Sequence, residues 1–165
     1  MRRALCLLLL FLVWTAPLAQ AESKSAGAFE KLKSLVGEWQ GKLEDGATAQ
    51  VSYELMSGGS VLVETMTPTK EHTMVTMYHQ NGDNLMATHY CAAGNQPRMQ
   101  ASPAGGEVKK LDFRFVDATN LAKTSPTYMK NLVVTFQDND HFTQMWTWSQ
   151  DGKETASLFK FERKK

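Results

Sequence analysis

The sequence predicts an all-β protein: an antiparallel up-and-down β-barrel of about ten strands with a short N-terminal helix. Three observations carry this. Most of the chain alternates apolar and polar residues with period two. Short turn signals punctuate these runs at close intervals. The 165 residues, 42% hydrophobic and nearly charge-balanced, suit one domain with a packed core. That composition is too apolar for a disordered chain, and the near-neutral balance of 18 basic and 17 acidic residues gives no electrostatic reason for nucleic-acid binding.

The first 21 residues read as a secretory signal peptide. Arg2 and Arg3 start it, Ala4 to Trp14 is uninterruptedly apolar, Pro17 breaks the run, and Ala19-Gln20-Ala21 offers a cleavage pattern. The run is shorter than the roughly 20 residues of a membrane span, so no permanent membrane anchor is expected. Cleavage removes two arginines and no acidic residue, leaving residues 22–165 at net −1 against +1 for the whole chain. It also removes Cys6, so Cys91 becomes the lone thiol and no internal disulfide can form. A periplasmic or secreted location follows as an expectation.

Within 22–165, Ser23 to Gly27 reads as a flexible start. Phe29, Leu32, Leu35 and Val36 form the apolar stripe of one short helix ending near Gly37. Strands are expected at Trp39–Leu43, Ala49–Met56, Ser60–Thr67, Thr73–His79, Leu85–Cys91, Arg98–Ala101, Lys110–Val116, Lys130–Gln137, His141–Ser149 and Glu154–Arg163. Gly58-Gly59, Asn81-Gly82, Asp138–Asp140 and Asp151-Gly152 are hairpin turns. Pro68 and Pro97 stand at run ends, where a ladder tolerates them. Asp117 to Thr127 is the longest irregular stretch, a surface loop or a cover for a barrel mouth. A meander of this kind removes its exposed edges by closing.

The last two turns set register. A two-residue turn at Asp151-Gly152 places Trp148 opposite Thr155, Trp146 opposite Ser157 and Phe142 opposite Phe161. A three-residue turn at Asp138–Asp140 places Phe136 opposite Phe142 and Leu132 opposite Trp146. One face then collects Leu132, Val134, Phe136, Phe142, Trp146, Trp148, Phe159 and Phe161 and must point inward. It is either the wall of a ligand cavity or a filled core; periodicity leaves both open.

The short helix, Gly37-Glu38-Trp39 opening the first strand, and the strand meander resemble the calycin superfamily of lipocalins and fatty-acid-binding proteins. The pattern is also similar to small exported bacterial proteins with a lipocalin-like or nitrobindin-like barrel. The resemblance spans essentially all of 22–165. It implies that a basic residue near the chain end packs over Trp39, and Arg163 has the matching inward parity. It further implies, for nitrobindin-like barrels, a haem-binding histidine in a late strand. The late histidine here is His141, which the turn register sets opposite Glu162 on the outside.

Chemistry-bearing residues concentrate between His79 and Arg98. His89 and Cys91, two apart, share one face, and a nearby imidazole can activate a thiol. A buried, inert cysteine is the plainer reading. A two-residue turn at Asn81-Gly82 would set Met74 opposite His89, with His79 on the other face. A three-residue turn would set Val75 opposite His89 and bring His79 to its side. Metal ligation needs three or four converging groups, and no such spacing occurs. The methionines read as adaptable core filler. Arg98, near a polar turn, is a candidate anchor for an acidic head group, while Arg114 faces water. Glu64 reads as exposed by default, with a pocket carboxylate as the alternative. Phosphate-loop, serine-elbow, zinc-protease and dinucleotide motifs do not occur.

The expectation is therefore an exported, non-catalytic barrel that binds a small hydrophobic or amphipathic molecule. Phe136, Phe142, Trp146, Trp148, Phe159 and Phe161 would form its wall, His89, Tyr90 and Arg98 its polar contacts, and Trp39 with Arg163 a structural pair. The rivals are an enzyme using His89 with Cys91 or Tyr90, and a haem- or metal-binding barrel. The residues name no cofactor and no oligomeric state.

Overall fold

The computed structural model describes residues 23–69 and 71–165; the expected signal peptide lies outside them. A helix, α1 (Lys24–Lys33), precedes ten strands: β1 (Gly37–Leu43), β2 (Thr48–Met56), β3 (Val61–Pro68), β4 (Met74–Asn81), β5 (Asn84–Tyr90), β6 (Gln96–Ala101), β7 (Lys110–Thr119), β8 (Thr127–Phe136), β9 (His141–Gln150) and β10 (Lys153–Arg163). Each strand pairs antiparallel with its chain neighbour, and β1 with β10 closes the barrel.

α1 begins earlier than its apolar stripe suggests. The Ser23 hydroxyl accepts from the Ala26 amide, an N-cap that holds Lys24–Gly27 helical. Ala28, Phe29 and Leu32 on its inner face join the barrel core. The helix covers one end of the barrel: Ser25 Oγ donates to the Gly82 carbonyl in the β4–β5 turn, and the Lys31 ammonium lies 5.0 Å over the Phe136 ring at the end of β8.

In the last three strands Trp148 opposes Thr155, Trp146 opposes Ser157, Phe142 opposes Phe161 and Phe136 opposes Phe142. Asp151 and Gly152 both take positive φ, which suits the twist of a tight hairpin. The β4–β5 hairpin differs from both expected registers. Its turn is Gly82-Asp83, Asn81 pairs with Asn84, and His89 pairs with Thr76. Gly82 takes the first turn position at φ +58, which glycine adopts without steric cost. The shift from the two-residue expectation is two positions, so the faces are unchanged: His89 points in, His79 out. β7 and β8 also run longer than expected. Pairing of Gln96 with Thr119 and of Thr127 with Gln150 keeps both ends extended, and bulges between Arg98 and Met99 and between Met129 and Asn131 absorb the mismatch.

The helix-covered end is solid. Phe142 meets Trp39 edge-on at 4.7 Å and stacks on Phe161 at 4.7 Å. Gly41 on β1 belongs to this packing: a Cβ there would lie 2.4 Å from Cε1 of Phe161, whose ring is stacked between Phe142 and Phe159 and cannot swing aside. Gly41→Ala is expected to lower stability by ~1–3 kcal/mol, the usual cost of overpacking, read from urea denaturation.

Candidate functional site

The other end of the barrel is open. β10 pairs with β1 only from Phe159 to Arg163, so Lys153–Leu158 run past it and form one lip of a mouth. Inside lies a cavity of about 450 Å³. Leu43, Met66, Met74, Met129 and Phe159 supply apolar wall, and Trp146 and Trp148 supply aromatic wall. Glu71, Ala92 and Ala93 come from rim loops. The volume falls within the usual range for small-molecule pockets.

Among the described residues, His89 is the buried side chain of this wall with an unpartnered polar atom. It is 3% exposed, tilted against Trp146 at 4.7 Å, and its Nδ1 is 2.9 Å from the Thr76 hydroxyl. Its Nε2 is buried with no partner. Burial pushes its pKa down to about 4, so the imidazole is neutral at pH 7. A buried, unpaired ring nitrogen costs free energy.

Below the cavity a polar network crosses the barrel. Oε2 of Glu64, on β3, accepts from the Tyr53 hydroxyl at 2.7 Å, the Tyr78 hydroxyl at 2.8 Å and the Gln144 amide at 2.6 Å. The Gln144 amide also donates to Tyr53 Oη, and its carbonyl accepts from the Trp146 indole at 3.0 Å. Burial pushes the Glu64 pKa up, partly offset by these three donors, and drives both tyrosines well above 10. The network separates the solid end from the hollow one.

Of the predicted contacts, His89, Trp146, Trp148 and Phe159 line the cavity. Phe136, Phe142 and Phe161 face inward but belong to the core; Phe142 and Phe161 pack with Trp39 at the solid end, and none lines the cavity. Tyr90 and Arg98, expected as polar contacts, do not line it. Tyr90 follows inward-facing His89 and therefore points out, 45% exposed. Arg98 lies on the outer surface, bidentate to Asp117 at 2.6 and 2.5 Å. Arg163 lies 4.0 Å over the Trp39 ring and donates to the carbonyls of Ser34, Val36 and Asn139. Glu64, read as exposed by default, is 1% exposed.

Cys91 lies just past the end of β5, its Sγ 3.5 Å from the Ala93 amide, and burial pushes its pKa up. With His89 pushed down, thiol and imidazole are both neutral at pH 7, opposite to an activated pair. His141 is outside, 2.9 Å from the Asp138 carboxylate, so the position the resemblance points to does not fit a haem ligand. Among the described residues, no group of three or more His, Cys, Asp or Glu is placed to hold a metal ion.

No protein-family model and no curated protein matches this chain. Among solved structures it is similar to one described as EF1p2_mFAP2b bound to DFHBI, at 11% identity and a TM-score of 0.37, over 82% of this chain and 98% of that one.

Proposed function

We propose that the protein is an exported, non-catalytic carrier that binds a small hydrophobic or amphipathic molecule in the open half of its barrel. The observation that carries this reading is the largely apolar cavity of about 450 Å³ in the open end of the barrel, with two tryptophans, a phenylalanine and three methionines in its wall. Met66, Met74, Trp146, Trp148 and Phe159 would cover the ligand's apolar body, and His89 would fix its polar group. Methionines suit such a wall, because their unbranched thioethers adapt to more than one shape. Export rests on the sequence pattern of residues 1–21.

Two probes already lie in the wall. Titration with 1-decanol is expected to change tryptophan emission saturably through Trp146 and Trp148, and to slow the reaction of Cys91 with a thiol reagent at the same concentrations. Emission and thiol reactivity that both stay unchanged up to the solubility limit would count against a binding cavity.

A further inference from the structure

Three sulfur-bearing side chains lie on one side of the cavity. Met66 on β3 is directly paired with Met74 on β4. Val75 pairs with Tyr90 and Thr76 with His89, and the same register sets Met74 against Cys91, one residue past the end of β5. Met66, Met74 and Cys91 thus form a row across three neighbouring strands, and all three line the cavity. The next row towards the solid end is Glu64, Thr76 and His89.

We propose that Met66, Met74 and Cys91 form a binding site for a soft monovalent metal ion, copper(I), held by three sulfur atoms at the mouth of the barrel. This goes beyond the carrier reading and does not depend on it.

The spacing suits convergence on one ion. Directly opposed residues hold their Cβ atoms about 4.5–5.5 Å apart. Met66 and Cys91, on either side of Met74, are about 10 Å apart at two strand spacings. A methionine side chain is unbranched with three rotatable bonds, so Met66 can turn its sulfur along the row towards the thiol. Inward side chains of a closed barrel also lean towards one another.

The donor set selects the metal. Thiolate and thioether sulfurs are soft ligands that favour copper(I), whereas the harder divalent ions favour nitrogen and oxygen. On binding, the Cys91 S–H bond breaks, the proton leaves to solvent and a sulfur–copper bond forms, with no change in oxidation state. One thiolate balances one positive charge, so the centre is neutral and suits a largely apolar wall. A divalent ion on the same three sulfurs would carry a net charge into that wall. The Ala93 amide, 3.5 Å from Sγ, is placed to donate to the thiolate and hold it in position. His89 is not counted among the donors, since its Nδ1 meets the Thr76 hydroxyl.

The test uses the full chain carrying Cys6→Ser, which leaves Cys91 as the single thiol. It is titrated without oxygen with copper(I) supplied as the coloured bicinchoninate complex, and loss of colour reports transfer of the metal. One copper per chain is expected to transfer, with three sulfur neighbours by X-ray absorption. Met66→Leu and Met74→Leu are each expected to weaken binding at least ~10-fold, the smaller effect already seen when only a supporting residue of a metal site is lost. Cys91→Ser is expected to abolish transfer. Leucine keeps the wall apolar, and unchanged thermal unfolding verifies the fold of each variant. Copper that stays with the chelator would overturn the site. Transfer left unchanged by both methionine variants would also overturn it, because a bare thiol would then account for the binding. Uptake of 1-decanol tests the carrier reading separately, so either can fail alone.

Discussion

Replacing Glu64 with leucine is expected to destabilise the protein by ~3–5 kcal/mol, the cost of removing one member of a buried, charge-bearing network. Leucine fills much of the same volume, so the loss is not chiefly a packing loss. It comes from the donors left behind. Two tyrosine hydroxyls and the Gln144 amide converge on Oε2 from β2, β4 and β9, and all are buried. Without the carboxylate, Tyr53 and Tyr78 have no acceptor there, and each unsatisfied group costs ~1–3 kcal/mol. Urea unfolding at pH 7 measures the effect; a loss below ~1 kcal/mol would mean that the network relaxes onto other partners.

Glu64→Gln separates the charge from the hydrogen bonds, because the amide carbonyl can still accept from the same donors. The sign of the pH dependence follows from linkage. Burial raises the folded-state pKa of Glu64 above its ordinary 4.5, so the folded chain holds this proton to higher pH than the unfolded chain does. Its contribution is most favourable below pH 4.5 and declines as pH rises through the folded-state value. Stability measured from pH 4.5 upward should therefore fall more steeply for the wild type than for Glu64→Gln, by at most ~1.4 kcal/mol per pH unit. Parallel curves would place the titration elsewhere.

The sequence made the faces of the strands legible, but not the depth of each residue along the barrel axis. The Asp151-Gly152 and Asp138–Asp140 turns fix register locally, so the inward aromatic set of β8, β9 and β10 follows from turn chemistry and period two. Depth depends on how β1 meets β10, a pairing between residues more than a hundred positions apart. That pairing decides that Phe142 and Phe161 fill the solid end while Trp146 and Trp148 line the hollow one. Glu64 was obscured for a related reason. Val61 to Thr67 is apolar on both faces, so parity alone names no inner side, and the partners that make a buried carboxylate tolerable lie on three other strands. For Tyr90 and Arg98 the side chain's chemistry suits a ligand contact but its parity does not: Tyr90 adjoins inward His89, and Arg98 lies between inward Pro97 and Met99.

Trp39→Ala is expected to cost ~3–5 kcal/mol, with loss that spreads beyond its own ring. Trp39 is the joint between α1, the closing seam of the barrel and the aromatic core. Its indole donates to the Leu35 carbonyl at 2.7 Å, which fixes the turn leaving α1. Its edge meets Phe142, and its face carries the Arg163 guanidinium. Arg163 in turn donates to carbonyls on both sides of that turn and to Asn139 in the β8–β9 loop. Taking away the ring removes the surface that holds the guanidinium in place, so the hydrogen bonds of Arg163 should loosen as well. A double-mutant cycle of Trp39→Leu with Arg163→Met isolates that coupling. Leucine removes the aromatic face, and a coupling energy of ~0.5–2 kcal/mol is expected for a cation over a buried ring. Additive single-variant losses would show that Arg163 acts through its carbonyl bonds alone. The seam would then be held by hydrogen bonding rather than by the stacked pair.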